Sequence, residues 1–217
     1  MGEGEFWRGE FANCTSRQVG PCKLQACSPL SGDAGVSSLM HFKAGEIMVT
    51  GGMSNLTMTP DAAHNFIYFS GGTGTLWNAG DTLSVNASGD PTGVPAWTAS
   101  IQTPGHVILT NPWGNPFIIN KSTGVTFTWT FMGGPGQVVV NLSSNPGASC
   151  SFPASAGTGT IPPSALTDIA TGVNGTINAL DINEETVTAG EFQITVSMQT
   201  WGNLQGGLLA SGAFTVQ

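Results

Sequence analysis

Charge is what this sequence has least of. Only 8% of its residues are Asp, Glu, Lys or Arg, against about 25% in an ordinary soluble domain. Hydroxyls, amides and backbone must therefore cover the surface. Cations are scarcest: Arg8, Arg17, Lys23, Lys43 and Lys121 stand against 13 acids, for a net charge of −8. Five scattered cations build no patch that neutralises a phosphate backbone, which excludes nucleic acid as a partner.

Long apolar runs are missing as well. No stretch of about 18 apolar residues occurs, so no membrane span is expected. The start, Met1-Gly2-Glu3-Gly4-Glu5, is acidic where a secretory leader is basic and apolar, so it does not read as a signal peptide; if the protein is exported, as its cysteines and composition suggest, the chain reads as the mature part. Helical periodicity is nearly absent; Pro162-Pro163-Ser164-Ala165-Leu166-Thr167-Asp168-Ile169 is the single helical candidate, with proline at its start. No Gly-x-Ser-x-Gly elbow occurs, and His41, His64 and His106 have no second histidine at triad or ligand spacing. No catalytic residue is named, and the chain reads as non-enzymatic.

What is present is β pattern. In Val125-Thr126-Phe127-Thr128-Trp129-Thr130-Phe131 large apolar residues alternate with threonines, so an extended chain turns one face to a core and the other to water. Met132-Gly133-Gly134-Pro135-Gly136 supplies turn chemistry, and Val138-Val139-Val140-Asn141-Leu142 reads as the return strand of a hairpin. Shorter strands are expected at 46–50, 55–59, 66–69, 82–87, 96–101, 107–110, 117–119, 150–152, 175–180, 190–198 and 212–216, with glycine or proline between them. Such spacing means a sandwich or barrel. The expected fold is all-β: two Ig-like or jelly-roll-like antiparallel β-sandwich domains in tandem behind a disulfide-pinned N-terminal arm. Residues 1–38 form the irregular, cysteine-containing arm, 39–104 the first sandwich and 105–217 the second, Ig-like one, with the break at Pro104-Gly105. One larger sandwich is the alternative.

The four cysteines divide unequally: Cys14, Cys22 and Cys27 near the start, Cys150 far along the chain. In a secreted protein they read as two disulfides, one local and one tying the arm to Cys150. The long bridge contributes about 3 to 5 kcal/mol in the chain-entropy model. A zinc site is the competing reading, against which stand the absence of a CxxC pair and of any histidine among them.

Other candidates are weaker. Met40, Met48, Met53 and Met58 lie near His41 and His64 in sequence, a ligand set that soft copper accepts; the plainer reading puts Met48 and Met58 in the core. Asp181, Asn183, Glu184 and Glu185 bring calcium chemistry to what reads as a loop, and calcium is the one cofactor suggested. Carboxylate pairs for glycoside hydrolysis could come from Asp81, Asp90, Asp168 or Glu191, although no spacing predicts that they face each other. Among six tryptophans, Trp97 and Trp129 read as core. Trp113, Trp77 and Trp201 sit in or beside loops and are candidates for stacking on a sugar. Sequons at Asn13, Asn55, Asn86, Asn120, Asn141 and Asn174 matter only in a eukaryotic secretory route.

Several phrases carry a resemblance. They are the Thr-Trp-Thr strand around Trp129, the run Cys150-Ser151-Phe152-Pro153-Ala154-Ser155-Ala156-Gly157 with Ile161-Pro162 and Ala165-Leu166, and Val187-Thr188-Ala189-Gly190-Glu191-Phe192. In the first half Gly45-Glu46-Ile47-Met48-Val49-Thr50-Gly51, Leu76-Trp77 with Gly80-Asp81-Thr82-Leu83, and Val94-Pro95-Ala96-Trp97 join them. Together the chain resembles a group of uncharacterised secreted proteins or lipoproteins of myxobacteria and related predatory or soil bacteria. The resemblance implies location and β architecture and transfers no functional residue.

The expected function is that of a secreted or cell-surface, non-enzymatic β-sandwich protein, structural, self-assembling or adhesive. Its expected partners are further copies of itself, another surface protein or a glycan. A carbohydrate-binding module using loop tryptophans is the first alternative, and an extracellular hydrolase of unrecognised type the second.

Overall fold

The computed structural model describes residues 2–4, 6–8, 13–28, 40–64, 67–70, 76–111, 117–172, 174–204 and 210–217. It is nearly all β, 61% strand against 5% helix. Most pairings are antiparallel; Ile108 beside Asn203 and Phe117 beside Phe214 belong to parallel ones. The chain gathers into two compact units, each drawn from three stretches. The first takes Met1–Phe11, Ser31–Thr103 and Asn183–Met198; the second takes Ala12–Leu30, Pro104–Ile182 and Gln199–Gln217.

In the second unit, Val125–Met132 forms as its alternation predicts. It lies between His106–Asn111 and Thr158–Ile161, and Asn203–Leu204 completes a four-stranded sheet. Phe127 and Trp129 point into the core, while the threonines stay outside and bond across strands, Thr126 to Thr160 at 2.8 Å and Thr110 to Thr128 at 2.9 Å. A larger sheet of eight strands draws residues from both units, since residues 183–198 of two of its strands are counted with the first. Seven run in the order Phe117–Ile119, Ser211–Val216, Asn174–Ala189, Gln137–Ser143, Gly147–Pro153, Cys22–Ser28 and Asn13–Val19, and Phe192–Trp201 pairs beside Asn174–Ala189. Val107, Leu109, Phe127, Trp129 and Ile161 from the smaller sheet share one core with Val138, Val140, Leu142, Cys150, Phe152, Ile177 and Phe214 from the larger. Burial of each large side chain there is worth about 1.5 to 3 kcal/mol. The short helix Pro163–Leu166 forms where expected and buries Ala165 and Leu166.

The reversal after Met132 differs from the hairpin expected. Gly133 and Gly134 both take positive φ, 71° and 69°, as their lack of a Cβ permits. Yet Val125–Met132 belongs to the four-stranded sheet and Gln137–Ser143 to the eight-stranded one. The turn is an arch from one sheet to the other across the core. A hairpin needs a turn whose flanking residues bond to each other. Here each flanking strand finds its ladder elsewhere: His106 opposite Met132, Pro153 and Ile182 opposite Gln137.

The first unit holds a four-stranded sheet of Trp97–Gln102, Thr82–Ala87, Ile47–Thr50 and Leu56–Met58 in that order. Gly2–Gly4, Ile67–Ser70 and Pro60–Asp61 form a three-stranded sheet, and Trp7–Arg8 pairs with Met40–His41. Leu83, Val85, Ala87, Trp97, Ala99 and Ile101 alternate into its core, to which the returning segment adds Ala189 and Ile194. Tyr68, the sole tyrosine, is fully buried; its hydroxyl accepts the Ala44 N–H at 2.7 Å, and Phe6 meets its ring edge-on at 5.7 Å. Met58 fills the core as expected. Met48 does not: it lies 40% exposed, because alternation gives the inward place on Ile47–Thr50 to Ile47.

Candidate functional site

The segment read as an irregular arm is a β-hairpin over residues 13–28. Asn13–Val19 and Cys22–Ser28 pair antiparallel around Gly20-Pro21 and form the last two strands of the eight-stranded sheet. Asn13-Cys14-Thr15-Ser16-Arg17-Gln18-Val19 has almost no apolar alternation, which hid it as a strand. Its order comes from its neighbour: Cys22 and Leu24 are buried on one side of Cys22–Ser28 while Lys23 and Gln25 are exposed on the other.

Both disulfides sit on this hairpin, one local and one tying it to Cys150, as the cysteine spacing suggests. Cys14 bonds Cys27, its cross-strand partner, and Cys22 bonds Cys150, its partner on Gly147–Pro153. The zinc reading falls, since no free cysteine is left. The first bridge lies on the solvent side, with Cys14 exposed. The second is fully buried. Other contacts fasten the hairpin. The Ser151 N–H donates to Pro21 O at 2.9 Å. The Asn145 side chain accepts from Cys27 N at 3.2 Å and donates to Cys27 O at 2.8 Å, so its amide imitates one more rung of the ladder. Arg17 donates to Asp168 Oδ2 at 2.6 Å. That pair is half exposed and adds no more than about 1 kcal/mol. No described strand pairs with the outer side of Asn13–Val19.

The stacking candidates separate. Trp113 lies outside the described residues. Trp77 is half-buried against the first unit's core. Trp201, at the end of Phe192–Trp201, is 48% exposed. Trp97 and Trp129 are core, as expected; the Trp129 indole N–H donates to Ala154 O at 2.7 Å, whereas that of Trp97 finds no acceptor among the described residues.

The acidic run expected in a loop lies instead inside the sixteen-residue strand Asn174–Ala189. Side chains alternate along a strand, so these residues do not converge on one point. Asp181 is fully buried, Glu184 and Glu185 are exposed, and Asn183 donates to Gln102 O at 2.8 Å. Asp181 is opposite Val138, and a Cβ on Gly136 would meet its carboxylate and force it to shift. Neither carboxylate oxygen completes a hydrogen bond among the described residues. Burial pushes its pKa up to about 7, while the nearby Gly105 and Ile182 amides pull it the other way. Sequence reasoning missed Asp181 as a buried acid because its neighbours Asn183, Glu184 and Glu185 are polar and read as a solvated turn.

Asp81 and Asp90 are engaged locally. Asp81 accepts the Asn78 N–H at 2.7 Å. Asp90 accepts both the N–H and the hydroxyl of Thr92, at 2.8 and 2.7 Å, which holds its pKa below the usual range. Among the described residues no three of His, Cys, Asp and Glu gather as metal ligands. Met40 and Met53 are well exposed, and no helix is long and apolar enough to cross a membrane. No protein-family model matches the chain, and no curated protein or solved structure shows significant similarity to it.

Proposed function

We propose that this is a secreted or cell-surface β-protein that works without catalysis, by associating through its surface as a structural, self-assembling or adhesive element. The observation that carries the reading is the margin of the eight-stranded sheet. A hairpin poor in apolar residues is fixed there by two disulfides, a side-chain rung and an ion pair, and its outer backbone row has no strand beside it among the described residues. An open row of N–H and C=O groups is a template for another strand, and natural proteins blunt such rows unless they are used. Disulfides persist in oxidising surroundings, which favours an extracellular location; the resemblance to secreted proteins and lipoproteins of myxobacteria points the same way.

Light scattering and negative-stain microscopy of the oxidised protein test the reading. Defined oligomers or filaments that disperse when the bridges are reduced are expected; a strict monomer at the highest attainable concentration contradicts it.

One observation favours a second reading, in which Trp201 stacks on a sugar ring: its indole is about half exposed at the end of a strand. Glycan binding then quenches tryptophan fluorescence, and Trp201→Ala abolishes the quenching. No binding across a broad glycan array overturns it.

A further inference from the structure

We infer that Asn13–Val19 pairs with the same strand of a second copy, antiparallel about a two-fold axis at Ser16, joining two eight-stranded sheets edge to edge. The inference rests on the surface-association reading and names its contact.

The register follows from two independent features of the hairpin. Val19 and Cys22 flank the two-residue turn Gly20-Pro21, so they exchange the first ladder bonds. Alternation then places Arg17 and Thr15 in bonded pairs and Gln18, Ser16 and Cys14 in non-bonded ones. The Cα separation at Cys14 and Cys27 agrees: at 4.1 Å it matches the close approach of a non-bonded pair, about 4.5 Å, rather than the roughly 5.5 Å of a bonded one. Residues not bonded inward direct their N–H and C=O outward. The open row therefore belongs to Cys14, Ser16 and Gln18, and none of their backbone groups has another backbone partner among the described residues.

This row is self-complementary. With Ser16 opposite Ser16 of the second copy, Gln18 falls opposite Cys14 and Cys14 opposite Gln18, so every outward group on one strand meets one on the other. Thr15 falls opposite Arg17. Arg17 is the sole charge on the strand, and Asp168 of its own copy neutralises it, so the two-fold apposes no bare like charges. That matters in a chain of net charge −8, whose copies repel over most of their surface. A two-fold of this kind closes on itself and gives a dimer. The opposite margin of the sheet offers less: Phe117–Ile119 is three residues long against seven.

Ser16 gives a test that reads the register. Ser16→Glu and Ser16→Lys each place like charges opposite one another across the axis and each weaken dimerisation several-fold in sedimentation equilibrium. Mixed in equal amounts, they form a heterodimer at least as tight as the wild type. Ser16→Pro removes an outward N–H without removing a ladder bond inside the hairpin, so it abolishes the dimer while near-ultraviolet circular dichroism and both disulfides stay intact. Wild-type association that persists unchanged in all three variants overturns this pairing and leaves association through another surface standing. A wild type that stays monomeric overturns both.

Discussion

The two units solve the same problem with different means. The second holds all four cysteines; the first has none. The second satisfies its buried tryptophan, Trp129, through Ala154, while the first leaves the Trp97 indole N–H without an acceptor among the described residues. The second, however, carries the buried acid Asp181, whereas buried hydroxyls of the first, on Tyr68 and Thr103, are bonded to Ala44 N–H and Asn78 O. Covalent bracing thus concentrates in the unit that presents an open strand at its margin. A lone hairpin of low apolar content is marginal in water, and the bridges make it a rigid template.

The largest expected effect tests that contrast. Replacing Cys22 and Cys150 together by alanine opens a loop of 128 residues and lowers the second unit's stability by about 5 kcal/mol on the chain-entropy model. Replacing Cys14 and Cys27, which are 13 apart, removes about 3 kcal/mol. Amide exchange checks it: protection falls on strands such as Gln137–Ser143 and holds on Thr82–Ala87. Equal loss in both units breaks the contrast.

Next in size is a pH effect confined to the second unit. Asp181 has a folded pKa of about 7 against an ordinary 3.8, so between those values the folded state binds the proton that the unfolded state has lost. Its favourable contribution is complete below about pH 4 and is lost as pH rises through about 7. Urea titrations across this range should show stability falling toward neutrality, and Asp181→Asn should flatten that fall.

The indoles give a smaller and opposite pair. Trp129→Phe removes the 2.7 Å hydrogen bond to Ala154 O and leaves that carbonyl only the longer one from the Gly157 N–H at 3.4 Å, so it costs about 1 kcal/mol more than Trp97→Phe, which removes a donor without an acceptor among the described residues. Similar costs at both sites, read by thermal melting, erase the distinction. Tyr68→Phe strands the Ala44 N–H at a cost of about 1 to 2 kcal/mol, and only the first unit should feel it.

Legibility followed the strength of local signals. Val125–Met132 was readable because bulky residues and threonines alternate through its length, and Pro163–Leu166 because proline opens it. The cysteine spacing disclosed one short and one long bridge. It did not disclose the hairpin, because Asn13–Val19 is held by its neighbour and its bridges rather than by its own pattern. Met132 to Gly136 announced a reversal but not which sheet the chain would enter, since turn chemistry fixes local angles and not the partner of the next strand. Asp181 to Glu185 looked like a loop because acids disfavour strands on average; here the ladder to Gln137–Ser143 overrides that preference at Asp181. Nor does any periodicity convey that residues 183–198 return to the first unit. Of the stacking candidates, loop position did not separate half-buried Trp77 from exposed Trp201.

The most direct measurement is hydrogen–deuterium exchange at the Ser16 and Gln18 amides as a function of protein concentration. If the margin is a strand template for a second copy, both amides exchange freely in dilute solution and become protected as concentration rises, while Thr15 and Arg17, already bonded inside the hairpin, do not change. Exchange at Ser16 and Gln18 that stays fast at every concentration contradicts the account.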